Sequence, residues 1–193
     1  MKLKAIEKIC KATKTVFIWT TDDGRKFIGD GAAFYLLPDG LAMPATGMLD
    51  VFDVALDKRD DWTTADHAVD CHGQALFADV TAEEEVAEPI ELTLGVNGEV
   101  LRPVGNALQT ILVNEAYFKP LEDERATLRF SLRRNLAGTP YVVVKAGLLL
   151  RAMFTPVRLG AKLCGMVSDT AARLERTREE YRGGDENEAG QSV

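Results

Sequence analysis

The sequence predicts an α+β fold made of two (β)αβββ units, with a connector inserted between them and an extra helix behind. Three observations carry this expectation. Residues 114–156 read as a short helix followed by three strand-like runs, with a glycine before the last run and a closing proline. Residues 3–38 read as helix, strand, turn, strand, glycine, strand and proline, in the same order. The bulk composition, 193 residues with 46% hydrophobic and 27% charged side chains, supplies apolar material for one core with appendages. The expected boundaries are a domain over 1–159 (first unit 1–38, connector 39–88, second unit 89–159), a C-terminal helix over 160–182 and a disordered tail over 183–193.

In the first unit, Leu3, Ile6, Ile9 and Cys10 recur at helical spacing, which predicts a helix over 3–14 with one apolar stripe. Lys4, Lys8, Lys11 and Lys14 share the opposite side. A solvated face is one reading of those lysines, since exposed helices commonly carry them. Against it, only Glu7 interrupts the basic series, whereas an exposed helix gains from mixed signs at i,i+4. Thr15 to Thr20 is β-branched and aromatic, Asp22-Asp23-Gly24 is turn chemistry, and Arg25 to Gly29 returns as a partner strand. Gly29-Asp30-Gly31 permits another reversal into a strand over 32–37 that Pro38 ends. As a phosphate loop this Gly-x-Gly lacks the third glycine, the Lys-Ser/Thr pair and a following helix, so it reads as a turn.

The connector is loosely patterned. Met48, Val51, Phe52 and Ala55 suggest one face of a short helix, with Asp50, Asp53 and Asp57 on its other faces. Asp66, His67, Asp70, Cys71 and His72 gather metal-capable side chains, but a structural zinc site wants four ligands at characteristic spacing, and this cluster has no second pair downstream. Neither metal nor cofactor is therefore assigned. Glu83-Glu84-Glu85 reads as an exposed acidic linker.

In the second unit, runs at 90–96 and 99–104 flank Asn97-Gly98, a strong hairpin signal. A strand follows over 108–113. Asn114 is placed to cap a short helix through Leu121, with Pro120 at its end. From 127 to 133, Leu128, Phe130 and Leu132 alternate with Arg129, Ser131 and Arg133, which predicts one buried face and one wet, basic face. Strands over 141–144 and 148–155 complete the meander. Beyond it, Leu163, Val167, Ala171 and Leu174 mark the C-terminal helix, which Gly183-Gly184 stops.

Cys10, Cys71 and Cys164 are odd in number and scattered, the first residues lack the apolar core of a secretory signal, and no 18-residue apolar run occurs. A cytoplasmic location without a membrane span is expected. The net charge of −7 argues against nucleic-acid binding by the whole surface and leaves a local basic face open. No nucleophile, base and orienting group fall into a recognisable arrangement, so no enzymatic activity is expected.

Two short motifs carry a family resemblance. Val113-Asn114-Glu115-Ala116-Tyr117-Phe118 resembles the start of a helix in DNA sliding clamps, and Met153-Phe154-Thr155-Pro156-Val157-Arg158-Leu159 is similar to the terminal strand of a bacterial clamp domain. Together with the paired units, they cover about a quarter of the chain. Phe27-Ile28-Gly29-Asp30-Gly31 with Lys145-Ala146-Gly147-Leu148-Leu149 also resembles uncharacterised proteins of Firmicutes prophages. The clamp resemblance implies paired helices that present Lys4, Lys8, Lys11, Lys14 and Lys119 to the phosphates of double-stranded DNA, without sequence preference. It also implies phage or host replication proteins as partners and a homo-oligomer. Clamp rings contain six such domains and this chain has room for one, so a ring would need a hexamer. A phage structural or interaction module on the same scaffold, without DNA binding, is the alternative.

Overall fold

The structure, a computed structural model, describes residues 1–41, 43–70, 73–96 and 98–158. The helix expected over 160–182 and the tail over 183–193 lie outside them, as do Cys71 and His72. Met1–Val157 form one compact unit. It is a mixed α+β arrangement, with one large, mostly antiparallel sheet and a few helices.

The chain opens with α1 (Leu3–Thr13), then β1 (Thr15–Thr20), β2 (Lys26–Gly29) and β3 (Ala33–Leu36). The connector holds α2 (Ala45–Val51), a 3-10 helix (Leu56–Asp61), β4 (Thr63–Ala68), α3 (Gln74–Phe77) and the start of β5 (Glu85–Pro89). Next come β6 (Leu94–Val96), β7 (Glu99–Gly105) and β8 (Thr110–Asn114). A long 3-10 segment (Glu115–Thr127) leads into β9 (Leu128–Arg134), β10 (Pro140–Ala146) and β11 (Leu149–Phe154). Among the described residues the strand order is β4-β1-β2-β3-β11-β10-β9-β5-β7-β6, with β8 on the other edge of β7. Among the described residues only β1 and β4 pair in parallel.

The two meanders, β1-β2-β3 and β9-β10-β11, meet through β3 and β11, where Ala33 faces Phe154 and Tyr35 faces Ala152. At the β2–β3 reversal Gly29 is obligatory. A Cβ there would sit 1.7 Å from the Ala33 carbonyl oxygen. Gly31, at φ +96°, completes the turn, and the Asp30 carboxylate accepts from the amides of Ala32 and Ala33.

Strand alternation sorts the apolar residues onto two faces. Ile18, Ile28, Tyr35, Val142, Val144 and Phe154 lie on the face that α1, α2 and the 3-10 segment cover. Phe27, Leu36, Tyr141, Val143, Leu150 and Met153 lie on the other, under Phe77 of α3 and Val69. A β-bulge between Val144 and Lys145 shifts the β10–β11 register, and Arg151 reaches Glu124 of the 3-10 segment at 2.9 Å.

Four local expectations are corrected. The short helix through Leu121 is a longer 3-10 segment with Pro120 inside it, because proline lacks the amide that an α-helical turn needs there. The acidic linker at 83–85 leads directly into β5, which pairs with β9 through Glu85–Ala87 and with β7 through Glu88–Pro89. Of the run at 90–96, only Leu94–Val96 is a strand. The wet, basic face expected on β9 holds only at Arg129, which is exposed; residues 78–84 cover the rest and leave Ser131 4% and Arg133 2% exposed.

Candidate anion-binding groove

The lysine face begins with how α1 is seated. Ile6, Ile9 and Cys10 are buried on the sheet side, and Lys14 ends the helix in the left-handed region at φ 51°, its amide donating to the Cys10 carbonyl. Beside α1 lies the 3-10 segment, and the Lys2 amide donates to the Pro120 carbonyl at 2.8 Å. Asn114 starts that segment by accepting from the Ala116 amide at 2.9 Å. The buried Tyr35 hydroxyl donates to the Tyr117 carbonyl at 2.8 Å and ties the segment to β3.

With three residues per turn, Ala116, Lys119 and Glu122 share one face of the 3-10 segment. On α1, the helical period brings Lys4, Lys8 and Ala12 into one row, with Ala5 and Ile9 beside it. These residues, with Lys2 and Leu3, enclose an open groove of about 660 Å³. Its apolar lining, called the floor, is Leu3, Ala5, Ile9, Ala12 and Ala116, and its charged lining, called the rim, is Lys2, Lys4, Lys8, Lys119 and Glu122.

The five lysines read from the sequence do not act alike. Lys4, Lys8 and Lys119 converge on the groove and have no ion-pair partner among the described residues. Lys11 is paired with Glu7 at 2.7 Å, and Lys14 with Asp61 at 2.9 Å, where its hydrogen bond holds the Asp61 carboxyl below the usual range. Lys2, which the helix pattern did not single out because it precedes the first helical residue, also lines the groove. It reaches Asp123 at 2.9 Å and Glu122 at 3.4 Å, and these hydrogen bonds raise its pKa. The apolar floor was equally missed, since three alanines on two separate elements leave no periodic signal. Chemically, the groove offers ammonium groups on flexible stems around an alkyl floor, which is the chemistry of binding.

The metal-capable residues are occupied otherwise. The Asp66 carboxylate accepts from the Ala45 amide at 3.1 Å, at the start of α2. His67 stacks on Trp19 with ring centroids 4.3 Å apart, and Asp70 accepts from the Gly73 amide at 2.7 Å. No cluster of three or more metal-capable side chains occurs among the described residues. Of the aspartates expected on one short helix, only Asp50 lies in α2, Asp53 follows its end and Asp57 belongs to the 3-10 helix Leu56–Asp61; all three are exposed, with Asp50 paired to Arg59. Cys10 is fully buried, and burial pushes its thiol pKa up, which removes it as a nucleophile at neutral pH.

The strongest ionic cluster lies on the opposite face of the sheet. The Glu84 carboxylate accepts from Lys145 at 2.6 Å and from Arg133 at 2.8 Å, and also from the Ser131 hydroxyl. Arg133 further donates to the carbonyls of Ala78 and Asp79. Burial alone would raise the Glu84 carboxyl, but hydrogen bonds from Lys145, Ser131 and Arg133 outweigh it and hold it at about 2. With every charged partner committed inside the cluster, it acts as a clasp that fastens residues 78–84 to the sheet.

No helix among the described residues is long and apolar enough to cross a membrane. No protein-family model, curated protein or solved structure gives a significant match to this chain.

Proposed function

We propose that the chain is a non-enzymatic, phage-derived binding protein of clamp-like organisation, which engages DNA or a replication protein through the basic face formed by α1 and the 3-10 segment. The observation that carries this reading is the convergence of Lys4, Lys8 and Lys119 from two elements onto one groove, with no ion-pair partner among the described residues. The meeting of two meanders at β3 and β11, each meander preceded by a helical segment on the same face, supports the clamp-like part. Lysines of this kind make phosphate contacts whose strength comes from counterion release and is independent of sequence.

Fluorescence anisotropy with a short DNA duplex at several salt concentrations tests the reading. With three phosphate contacts, the slope of log affinity against log salt is about −3. The triple change Lys4→Glu, Lys8→Glu and Lys119→Glu should weaken binding at least about a hundredfold, whereas Lys11→Glu with Lys14→Glu should weaken it far less, because those two are already paired. Unchanged affinity in the folded triple variant rejects DNA binding by this face.

One observation favours the alternative, an interaction module without DNA binding. In the 3-10 segment Glu115 is paired with Arg102, and Glu124 with Arg151 and the amino terminus, but the exposed Glu122 and Asp123 have only Lys2 against them, so the groove's basic rim adjoins carboxylates that repel an extended polyanion.

A further inference from the structure

We infer that the groove takes an apolar side chain from an acidic segment of a protein partner, an inference that rests on the anion-binding reading of the same face. Three features point to this occupant. The floor of Leu3, Ala5, Ile9, Ala12 and Ala116 offers no hydrogen-bonding side chain, so what fills it must be apolar to gain from leaving water. Lys4, Lys8 and Lys119 line the same groove, and since a lysine combines a long alkyl stem with a terminal ammonium group, they suit an apolar anchor flanked by carboxylates. The basic stretch is short: Lys4 to Lys8 is one helical turn, roughly 6 Å, and Glu122 and Asp123 close it off.

A DNA duplex matches these features less well. Its phosphates stand on the outside of a stiff cylinder, so they can touch the rim but put nothing apolar on the floor. An acidic segment supplies both halves of the complementarity, with carboxylates for the rim and a leucine-like side chain for the floor. Residues 2–12 span about 15 Å along α1, enough for two to three turns of a helical partner or about five extended residues. The groove's volume of about 660 Å³ falls within the roughly 300–1,000 Å³ of pockets that enclose a small ligand, so one or two side chains fit inside it.

The test uses the whole chain and three probes: a synthetic acidic peptide with leucines at helical spacing, the same peptide with each leucine replaced by serine, and a short DNA duplex. Variants Ala12→Gln and Ala116→Gln, combined, make the floor polar without altering charge. The expected result is that the leucine peptide binds, that the serine peptide binds about tenfold more weakly, and that the floor variant loses about tenfold for the leucine peptide only. Equal affinity for the two peptides, no peptide binding, or a floor variant that binds the leucine peptide as the parent does overturns the inference. The charge variant Lys4→Glu, Lys8→Glu, Lys119→Glu separates the two levels. If it retains binding to every probe that the parent binds, the anion-binding reading itself fails. If it loses the duplex while the leucine peptide never bound, only the acidic-segment inference fails.

Discussion

Glu84 is the residue whose removal should do most damage on the sheet. Arg133 and Lys145 are buried beside it, at 2% and 8% exposure, and each relies on its carboxylate. Glu84→Ala leaves both charges short of a counter-ion, and losing one partner of a buried pair costs about 3–5 kcal/mol. Urea denaturation measures this, and a loss below about 1 kcal/mol would contradict the clasp. The same cluster sets a pH dependence. Glu84 titrates at about 2 in the folded chain against an ordinary 4.5, so between those values the unfolded chain binds more protons. Its contribution is therefore complete above about 4.5 and is lost as pH falls through about 2. Unfolding midpoints taken across that window should fall with acidification in the parent and less steeply in Glu84→Gln. Equal slopes would remove Glu84 from the explanation. None of this was legible locally, because Glu84 lies in an acidic run and its partners are 49 and 61 residues away. The lysines were legible because a helical period is a local property. Their division into paired and unpaired groups was not, since Asp61 approaches Lys14 only through the connector.

At the level of elements, two of the polar contacts that hold the 3-10 segment can each be removed by a single substitution. Tyr35→Phe removes the donor to a buried carbonyl and should cost about 1–2 kcal/mol. Asn114→Ala removes the cap and should cost about 1 kcal/mol. Both are measured by thermal or chemical unfolding, and because the segment forms one wall of the groove, both should also weaken groove binding. A normal affinity in a destabilised variant would mean that the wall is placed without these contacts. The elements the sequence revealed are those whose signal is short-range: α1 by its stripe, the two meanders by alternation and turn residues, and the start of the 3-10 segment by Asn114. The elements it concealed are held by distant partners. β4, Thr-Thr-Ala-Asp-His-Ala, lacks a clean apolar alternation and exists through its parallel pairing with β1. β5 is acidic and becomes a strand because β9 and β7 offer it backbone partners.

For the whole molecule, the proposed clamp-like organisation makes a demand on assembly. One such domain closes no ring, so encirclement of DNA would require six copies. Light scattering during size-exclusion chromatography at low and moderate salt decides this, with a hexamer supporting a ring and a monomer or dimer contradicting it. The groove reading survives either result, since all its residues come from α1, the 3-10 segment and the residues just before α1. The measurement that tests it most directly is amide chemical-shift mapping of the labelled chain, titrated in turn with the acidic leucine peptide and with duplex DNA. The account predicts that the largest changes fall on residues 2–12 and 116–122 and follow saturation. Changes centred on another surface, or none with either probe at concentrations near millimolar, would contradict it.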